Sequence, residues 1–340
     1  MAVQRSNGPT LEEVGAVAGV SRATVSRVIN RSPKVSPEAR KSVERAIAKL
    51  GYTPNRAARS LVTRRTDVVA LFVSEPEERV FSDPIFASVV RGMSAATAEI
   101  DMTLVLVMAQ DDGERERARR FLRRDHVDGV VLMSLHGDEP LPRQLIRTGM
   151  PTVQIGRPFG RSGAPYVDAD NRGGARLAVE HLLESGRREI ATITGPSNMN
   201  AGIDRFVGYG EALGVAGLGA RAELVEEGDF GEASGYDAMQ ALLERVPKLD
   251  AVFAASDLMA VGALRALREA GRQVPDDVAV VGFDDAPVAR LTVPPLTTIR
   301  QPLDEMTART AELLFRQISG EPGGPRSVVC ETSLVLRRTA

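Results

Sequence analysis

The chain has 340 residues, and its 43 Lys+Arg against 45 Asp+Glu make a near-neutral total that conceals two unlike parts. Residues 1–66 carry 13 basic and 4 acidic side chains, a net +9 that leaves −11 for the remainder, so a basic head able to meet a polyanion precedes an acidic body with other work. One cysteine (Cys330), three scattered histidines (His126, His136, His181) and no long apolar run argue against a disulfide scaffold, a zinc site and a membrane span, and fit a cytoplasmic protein without metal or cofactor.

The N-terminal MAVQRSNGPT lacks the apolar segment of a secretory signal. Thr10-Leu11-Glu12-Glu13 has capping-box spacing, and Leu11, Val14, Val17 and Ala18 follow on one helical face. Gly19 breaks that pattern, and Ser21 then caps a second helix, Arg22–Asn30, whose inward face is Val25, Val28 and Ile29. Two short helices joined by a Gly-containing turn have the layout of a helix-turn-helix. A third helix is predicted from Ser36 as N-cap, with Pro37 at its first position, to a stop at Gly51.

The outward face of the second helix carries Arg22, Ala23, Ser26, Arg27 and Asn30. A guanidinium can donate two hydrogen bonds to the O6/N7 edge of guanine, and an alanine methyl can pack on thymine. After Tyr52, the run Asn55-Arg56-Ala57-Ala58-Arg59-Ser60-Leu61 predicts a short basic helix. Such a helix is too short to be stable alone, and it ends on a leucine able to wedge between base steps in the minor groove.

The continuous stretch LEEVGAVAGVSRATVSRVINRSPKVSPEARKSVERAIAKLGYTPNRAARSL, Leu11 to Leu61, resembles the DNA-binding head and hinge of the LacI/GalR family of transcription regulators. The resemblance implies that Arg22, Ala23 and Arg27 read base edges, that Asn55–Leu61 is a hinge helix and that Leu61 is the wedge. Thr10, Ser21, Thr24, Ser26, Asn30, Tyr52, Asn55, Arg56, Ala58 and Arg59 complete the expected DNA-contacting set. The partner so implied is double-stranded operator DNA with palindromic, G-containing half-sites, bound by a homodimer.

From Asp67 onward, β-branched runs alternate with amphipathic helices: strands at 68–74, 102–110, 130–133 and 152–155, with helices at 85–100, 114–124 and 141–147. A second such series begins near Tyr166. This alternation predicts open parallel sheets with helices on both faces. The expected fold is therefore an all-α helix-turn-helix head plus hinge helix, then an α/β bilobed core with two parallel-sheet subdomains. In the family such a core resembles periplasmic sugar receptors. The expected boundaries are 1–52 (head), 53–66 (hinge and linker) and 67–340 (core). Lobe one takes about 67–163 and 293–322, lobe two about 164–292 and 323–340. The crossings are expected at the low-complexity joints Gly160–Pro165, Thr292–Pro295 and Gly320–Pro325.

Ligands of open α/β sheets sit beyond the carboxyl ends of the strands. That rule selects Ser74, Ser134, His136, Gly156, Arg157, Ser256, Asp257, Asp284 and Asp285, together with Arg205 and with Phe230 in its Gly-Asp-Phe-Gly turn. Carboxylates and guanidinium groups bind paired sugar hydroxyls, and an aromatic ring stacks on the apolar face of a sugar. The family resemblance implies that Arg205, Ser256 and Asp284 contact the sugar, that Phe230 is the stacking platform, and that Phe81 and Phe86 line the other lobe. Asp257 is equally readable as a helix N-cap. The stretches 74–86 and 134–142 are similar to those of regulators of cellobiose or other β-glucoside use. No nucleophile elbow, Walker loop or dinucleotide fingerprint is present, so an enzyme is not expected. The expected function is a sugar-controlled repressor. The alternatives are a corepressor-type regulator and a sugar receptor with no DNA role.

Overall fold

The computed structural model describes residues 9–29, 34–52, 65–160 and 162–340. The chain divides into two units, Met1–Thr66 and Asp67–Ala340.

In the first unit, helix α1 (Leu11–Ala18) starts at a complete capping box. Thr10 Oγ1 accepts from the Glu13 amide at 3.3 Å, and the Glu13 carboxylate accepts from the Thr10 amide at 2.7 Å. Gly19 at φ 68° ends it, where a side chain would strain the left-handed backbone. Helix α2 (Arg22–Ile29) begins where Ser21 Oγ accepts from the Thr24 amide at 3.2 Å. Helix α3 (Pro37–Leu50) has Ser36 as N-cap and Gly51 beyond its end. Val14, Val25, Val28, Val43, Ala46 and Tyr52 close a small core, each buried aliphatic side chain stabilising the head by about 1.5–3 kcal/mol. The α1–α2 turn is tight, because a Cβ on Gly15 would sit 2.8 Å from the Val20 carbonyl. Val17, expected on the inner face of α1, is 46% exposed.

In the second unit the strands form two sheets of six. The first has the spatial order Ser327–Cys330, Tyr166–Ala169, Thr152–Ile155, Gly129–Met133, Val68–Val73, Thr103–Met108, and every pair is parallel. The second runs Ser333–Val335, Thr297–Arg300, Ala279–Asp284, Ala251–Ala254, Ile190–Thr194, Val225–Glu227. It is parallel except for the antiparallel edge pair Thr297–Arg300 with Ser333–Val335. The central strands are buried on both faces, which is why they read as unbroken apolar runs such as VVALFV. In the first half, helices Pro84–Glu99 and Leu303–Ser319 cover one face and Asp112–Phe121 with Leu141–Arg147 the other. In the second, Asn171–Glu184 and Asn200–Val215 oppose Glu232–Arg245 and Asp257–Glu269.

The crossings between halves differ from the expected ones. Tyr166–Ala169 pairs with Thr152–Ile155 and Ser327–Cys330, so it completes the first sheet rather than opening the second. Thr297–Arg300 pairs with Ala279–Asp284 and belongs to the second sheet, not to lobe one. The tail divides, with Ser327–Cys330 in the first sheet and Ser333–Val335 in the second. The chain therefore passes between halves at Asp170, at Gln301–Pro302 and at Glu331–Thr332. Each Gly/Pro-rich joint is a turn into the last strand before a crossing, since the strand must finish its ladder before the chain leaves the sheet.

Candidate functional site

The three crossings bring Asp168, Asn171 and Gln301 to the base of a cleft between the two sheets, with a cavity volume of about 110 Å³ and a mouth open to solvent. Arg205 is its centre. It sits on the helix Asn200–Val215 and is only 4% exposed. Its Nε donates to Asn171 Oδ1 at 2.9 Å and its Nη1 to the Ala255 carbonyl at 2.6 Å. Asp284 Oδ1 lies 3.7 Å from Nη1, and the guanidinium lies over the Phe283 ring at 3.7 Å.

Asp284 stands at the carboxyl end of its strand at φ 126° and accepts from Gln301 Nε2 at 2.6 Å. Burial pushes its carboxyl up to about 7, only partly opposed by Arg205. Asp168 accepts from the Ala169 amide and from Asn171 Nδ2, both at 3.0 Å, and burial raises it to about 6. A buried guanidinium set among raised carboxyls can exchange these contacts for sugar hydroxyls with little change in net charge. Phe230 is held at φ 69° over Gly195, where even a Cβ would meet the ring at 2.1 Å. Arg205 lies 5.5 Å from its ring centroid.

Of the residues expected to hold a ligand, Phe86, Ser134, Arg205, Phe230, Ser256 and Asp284 line this cleft. Ser256 caps its helix, accepting from the Met259 amide at 3.1 Å and donating to the Phe230 carbonyl at 2.8 Å, so it fixes the aromatic ring as well as facing the cavity. Phe86 belongs to the core and to the wall alike.

Six residues lie elsewhere. Asp285 is turned away from the cleft and accepts from Arg300 and Arg337. Asp257 is neither N-cap nor wall: it is fully buried and accepts from the Ala286 amide and the Thr298 hydroxyl, with its carboxyl raised chiefly by burial. Phe81 is 69% exposed, because the helix Glu77–Ser82 turns it outward. Ser74 is buried at the end of its strand, and its hydroxyl has no partner among the described residues. Arg157 does not reach the cleft; its Nη2 pairs with Asp204 at 2.6 Å. His136 is held between Glu75, at 3.0 Å from Nε2, and Asn198 Oδ1, at 3.2 Å from Nδ1. Gly156, expected nearby, does line the cavity, at φ 89° with open space beside it.

Arg157 and His136 span the cleft instead of entering it. With the Gly137 amide donating to the Asn198 carbonyl at 2.8 Å and Asn200 Nδ2 to the Pro158 carbonyl at 2.7 Å, they tie loops of the first sheet to the start of helix Asn200–Val215 on the second. Both imidazole nitrogens face acceptors, an arrangement that only the protonated ring satisfies. The hydrogen bond to Glu75 raises the His136 pKa, against the opposing effect of burial. A raised folded-state value means that the clasp stabilises fully below the ordinary value and is lost as pH rises through the raised one. Thermal melts of wild type and His136→Ala should therefore differ most at pH below the ordinary histidine value and converge as pH rises above the raised one; a gap that is constant with pH rejects this role.

Sequence reasoning missed Arg79, Asp83, Asp168, Asn171 and Gln301, all of which line the cleft. Only the fold brings the last three to the crossings. Arg79 lies in, and Asp83 caps, a helix of six residues, too short to show a periodicity.

In the basic unit, Ala23 and Arg27 are exposed on α2, Ser21 and Thr24 share its cap with their hydroxyls 3.0 Å apart, and Ser26 and Thr24 are half-buried. Arg22 pairs with Glu12 at 3.1 Å, both side chains largely in solvent, an interaction weak enough to yield to a base edge. Thr10 serves the α1 cap, and Tyr52, expected at DNA, is 9% exposed within the head core. Asn30, Asn55, Arg56, Ala58, Arg59 and Leu61 lie outside the described residues.

Comparison with known proteins agrees with both halves. Residues 10–55 match the model of bacterial regulatory proteins of the lacI family, and residues 179–340 that of a periplasmic binding protein-like domain. The chain is 51% identical over 339 residues to the HTH-type transcriptional regulator CelR of Thermobifida fusca, covering 99% of this chain and 100% of the relative. It is 35% identical to the ribose operon repressor of Escherichia coli, covering 91% and 93%. Among solved structures it resembles a transcriptional regulator CelR–cellobiose complex (49% identity, TM-score 0.79, covering 98% and 100%). It also resembles the lac repressor dimer bound to operator and the anti-inducer ONPF (27% identity, TM-score 0.86, covering 98% and 99%).

Proposed function

The chain belongs to the lacI family of bacterial regulatory proteins, and from that membership we propose a repressor whose operator affinity is set by cellobiose or a related β-linked glucoside. As a member it is a cytoplasmic DNA-binding repressor with a sugar-binding effector core, and a regulator rather than an enzyme. The effector reading rests on the buried Arg205–Asp284 pair beside Phe230 in a cleft, in a chain so similar to a regulator solved with cellobiose.

In this reading the head 1–52 carries the DNA contacts, 53–66 the hinge and 67–340 the sugar site and dimer contacts. Two copies present α2 to successive major-groove half-sites of a palindrome. Sugar held by Arg205, Asp284, Ser256, Phe230 and Phe86 draws the two sheets together, which alters the spacing of the heads and lowers operator affinity. Reciprocity requires operator DNA to weaken sugar binding by the same factor.

Fluorescence anisotropy on a G-containing palindromic operator tests this directly. Cellobiose should release the protein from DNA, whereas tightening would make the protein a corepressor-type member, and sugar binding without any operator binding would leave a receptor. For the head, Arg27→Ala is expected to cost about 1–3 kcal/mol at one base pair and relax specificity there. A loss spread evenly over all sequences would reassign Arg27 to a phosphate.

A further inference from the structure

The cleft has a second polar pole that no part of the inner cluster uses. Arg79, inside the short helix Glu77–Ser82, and Asp83, just beyond its last residue, line the cleft wall. The Arg79 side chain is 20% exposed against 5% for Arg205, so it stands nearer the mouth. Its guanidinium lies 5.4 Å from the centroid of the Phe230 ring, the same ring that Arg205 faces at 5.5 Å. Phe230 thus lies between an inner and an outer cation.

The outer cation is built in. Arg79 Nη1 sits 3.2 Å from Glu75, whose side chain is only 2% exposed and is further held by the Ser134 hydroxyl and His136 Nε2. A buried carboxylate with three partners anchors the guanidinium at Nη1 and offsets part of its charge. Among the described residues, Arg79 donates only through Nη1; its Nε and Nη2 remain available. Asp83 accepts the Ile85 amide through Oδ1 at 3.0 Å and shows no hydrogen bond at Oδ2 among the described residues. The inner pole differs, with Arg205 already donating to Asn171 and Ala255 and Asp284 accepting from Gln301. Free donors and a free carboxylate oxygen on one short element are the groups that vicinal hydroxyls of a sugar ring require.

We infer that Arg79 and Asp83 form an outer subsite that binds the second ring of a two-ring saccharide, and that they select it over a one-ring sugar. The inference rests on the sugar-repressor reading above. Arg79 donates from Nε and Nη2 to adjacent hydroxyls of the outer ring, Asp83 accepts from a third, and Phe230 packs alongside the linkage on an apolar face of the saccharide. Glu75, Ser134 and His136 touch no sugar; they are positioning residues that aim Arg79. This also explains why His136 and Ser134, at strand ends suited to ligand contact, are engaged with Glu75.

Calorimetric titration of the full-length protein with cellobiose and with methyl β-glucoside tests the inference. Arg79→Met should weaken cellobiose binding about tenfold or more, as hydrogen bonds to a charged donor are lost, while leaving methyl β-glucoside binding unchanged. Arg79→Lys, which keeps the charge beside Glu75 and so protects folding, should lose most of the same preference because an ammonium lacks the guanidinium fork. Glu75→Gln should shift cellobiose affinity in the same direction and by less. Parent-like cellobiose affinity in both Arg79 variants overturns the subsite, as does an equal loss for both sugars. Wild-type protein that binds neither sugar overturns the repressor reading itself, a result distinct from either.

Discussion

An Arg205→Met protein should bind no sugar and should lose about 3–5 kcal/mol of core stability, the cost of removing one partner from a buried ion pair. Arg205 donates to Ala255 O through Nη1 and to Asn171 Oδ1 through Nε, and its charge offsets Asp284 and Asp168 in the same pocket. Methionine removes the guanidinium that stacks on Phe283 and leaves both carboxyls without their cation. Because those carboxyls are already raised, to about 7 and about 6, they take up protons instead of remaining as bare charges. The deficit should therefore shrink as pH falls below about 6. The head has its own core of Val14, Val25, Val43 and Tyr52, so operator binding should persist and stop responding to cellobiose. Denaturant unfolding and anisotropy, with and without sugar, measure both effects; a variant with parent-like stability and normal release would show that Arg205 neither braces nor reads.

How much of this was legible differs between the parts. The helices of the head announce themselves locally: Thr10 with Glu13, Ser21, Ser36 with Pro37, and Gly19 and Gly51 are signals that act within a turn or two. The strands of the core were legible for a similar reason, because burial on both faces leaves apolar runs. Sheet membership was not, since whether Tyr166–Ala169 pairs with Thr152–Ile155 or with a later strand depends on contacts far apart along the chain. The site divides along the same line. Arg205, Phe230, Ser256 and Asp284 follow from the strand-end rule together with family resemblance. Asp168, Asn171 and Gln301 matter only because the crossings fall where they do, and no local pattern records that. The rule over-selected at Asp257, Ser74 and Arg157, where the polar group at a strand end or in the following loop is tied to the protein's own amides, buried, or paired across the cleft.

Asp284 sets up two pH trends of opposite sign, and this is the second large effect expected. Its folded-state pKa, about 7, lies above the ordinary value of 3.8, so the folded core holds that proton more tightly than the unfolded chain does. Protonation then favours the fold, and the sugar-free protein should gain about 2 kcal/mol between about pH 7.5 and 5.5 from this residue. Sugar binding runs the other way. In the proposed complex Asp284 accepts from a sugar hydroxyl beside Arg205, and the neutral acid is a poorer acceptor, so cellobiose affinity should fall about tenfold or more over the same interval. His136 adds to the stability trend with the same sign, so wild type alone does not separate the two. Asp284→Asn does, because His136 is common to both proteins and the amide does not titrate. The variant should bind cellobiose weakly at every pH, with both slopes flattened and the contributions of His136 and Asp168 to the stability trend left. If Asp284→Asn keeps the full pH dependence of affinity, the titrating group in the cleft is Asp168 or Asp83, and Asp284 is a structural partner of Gln301 and Arg205.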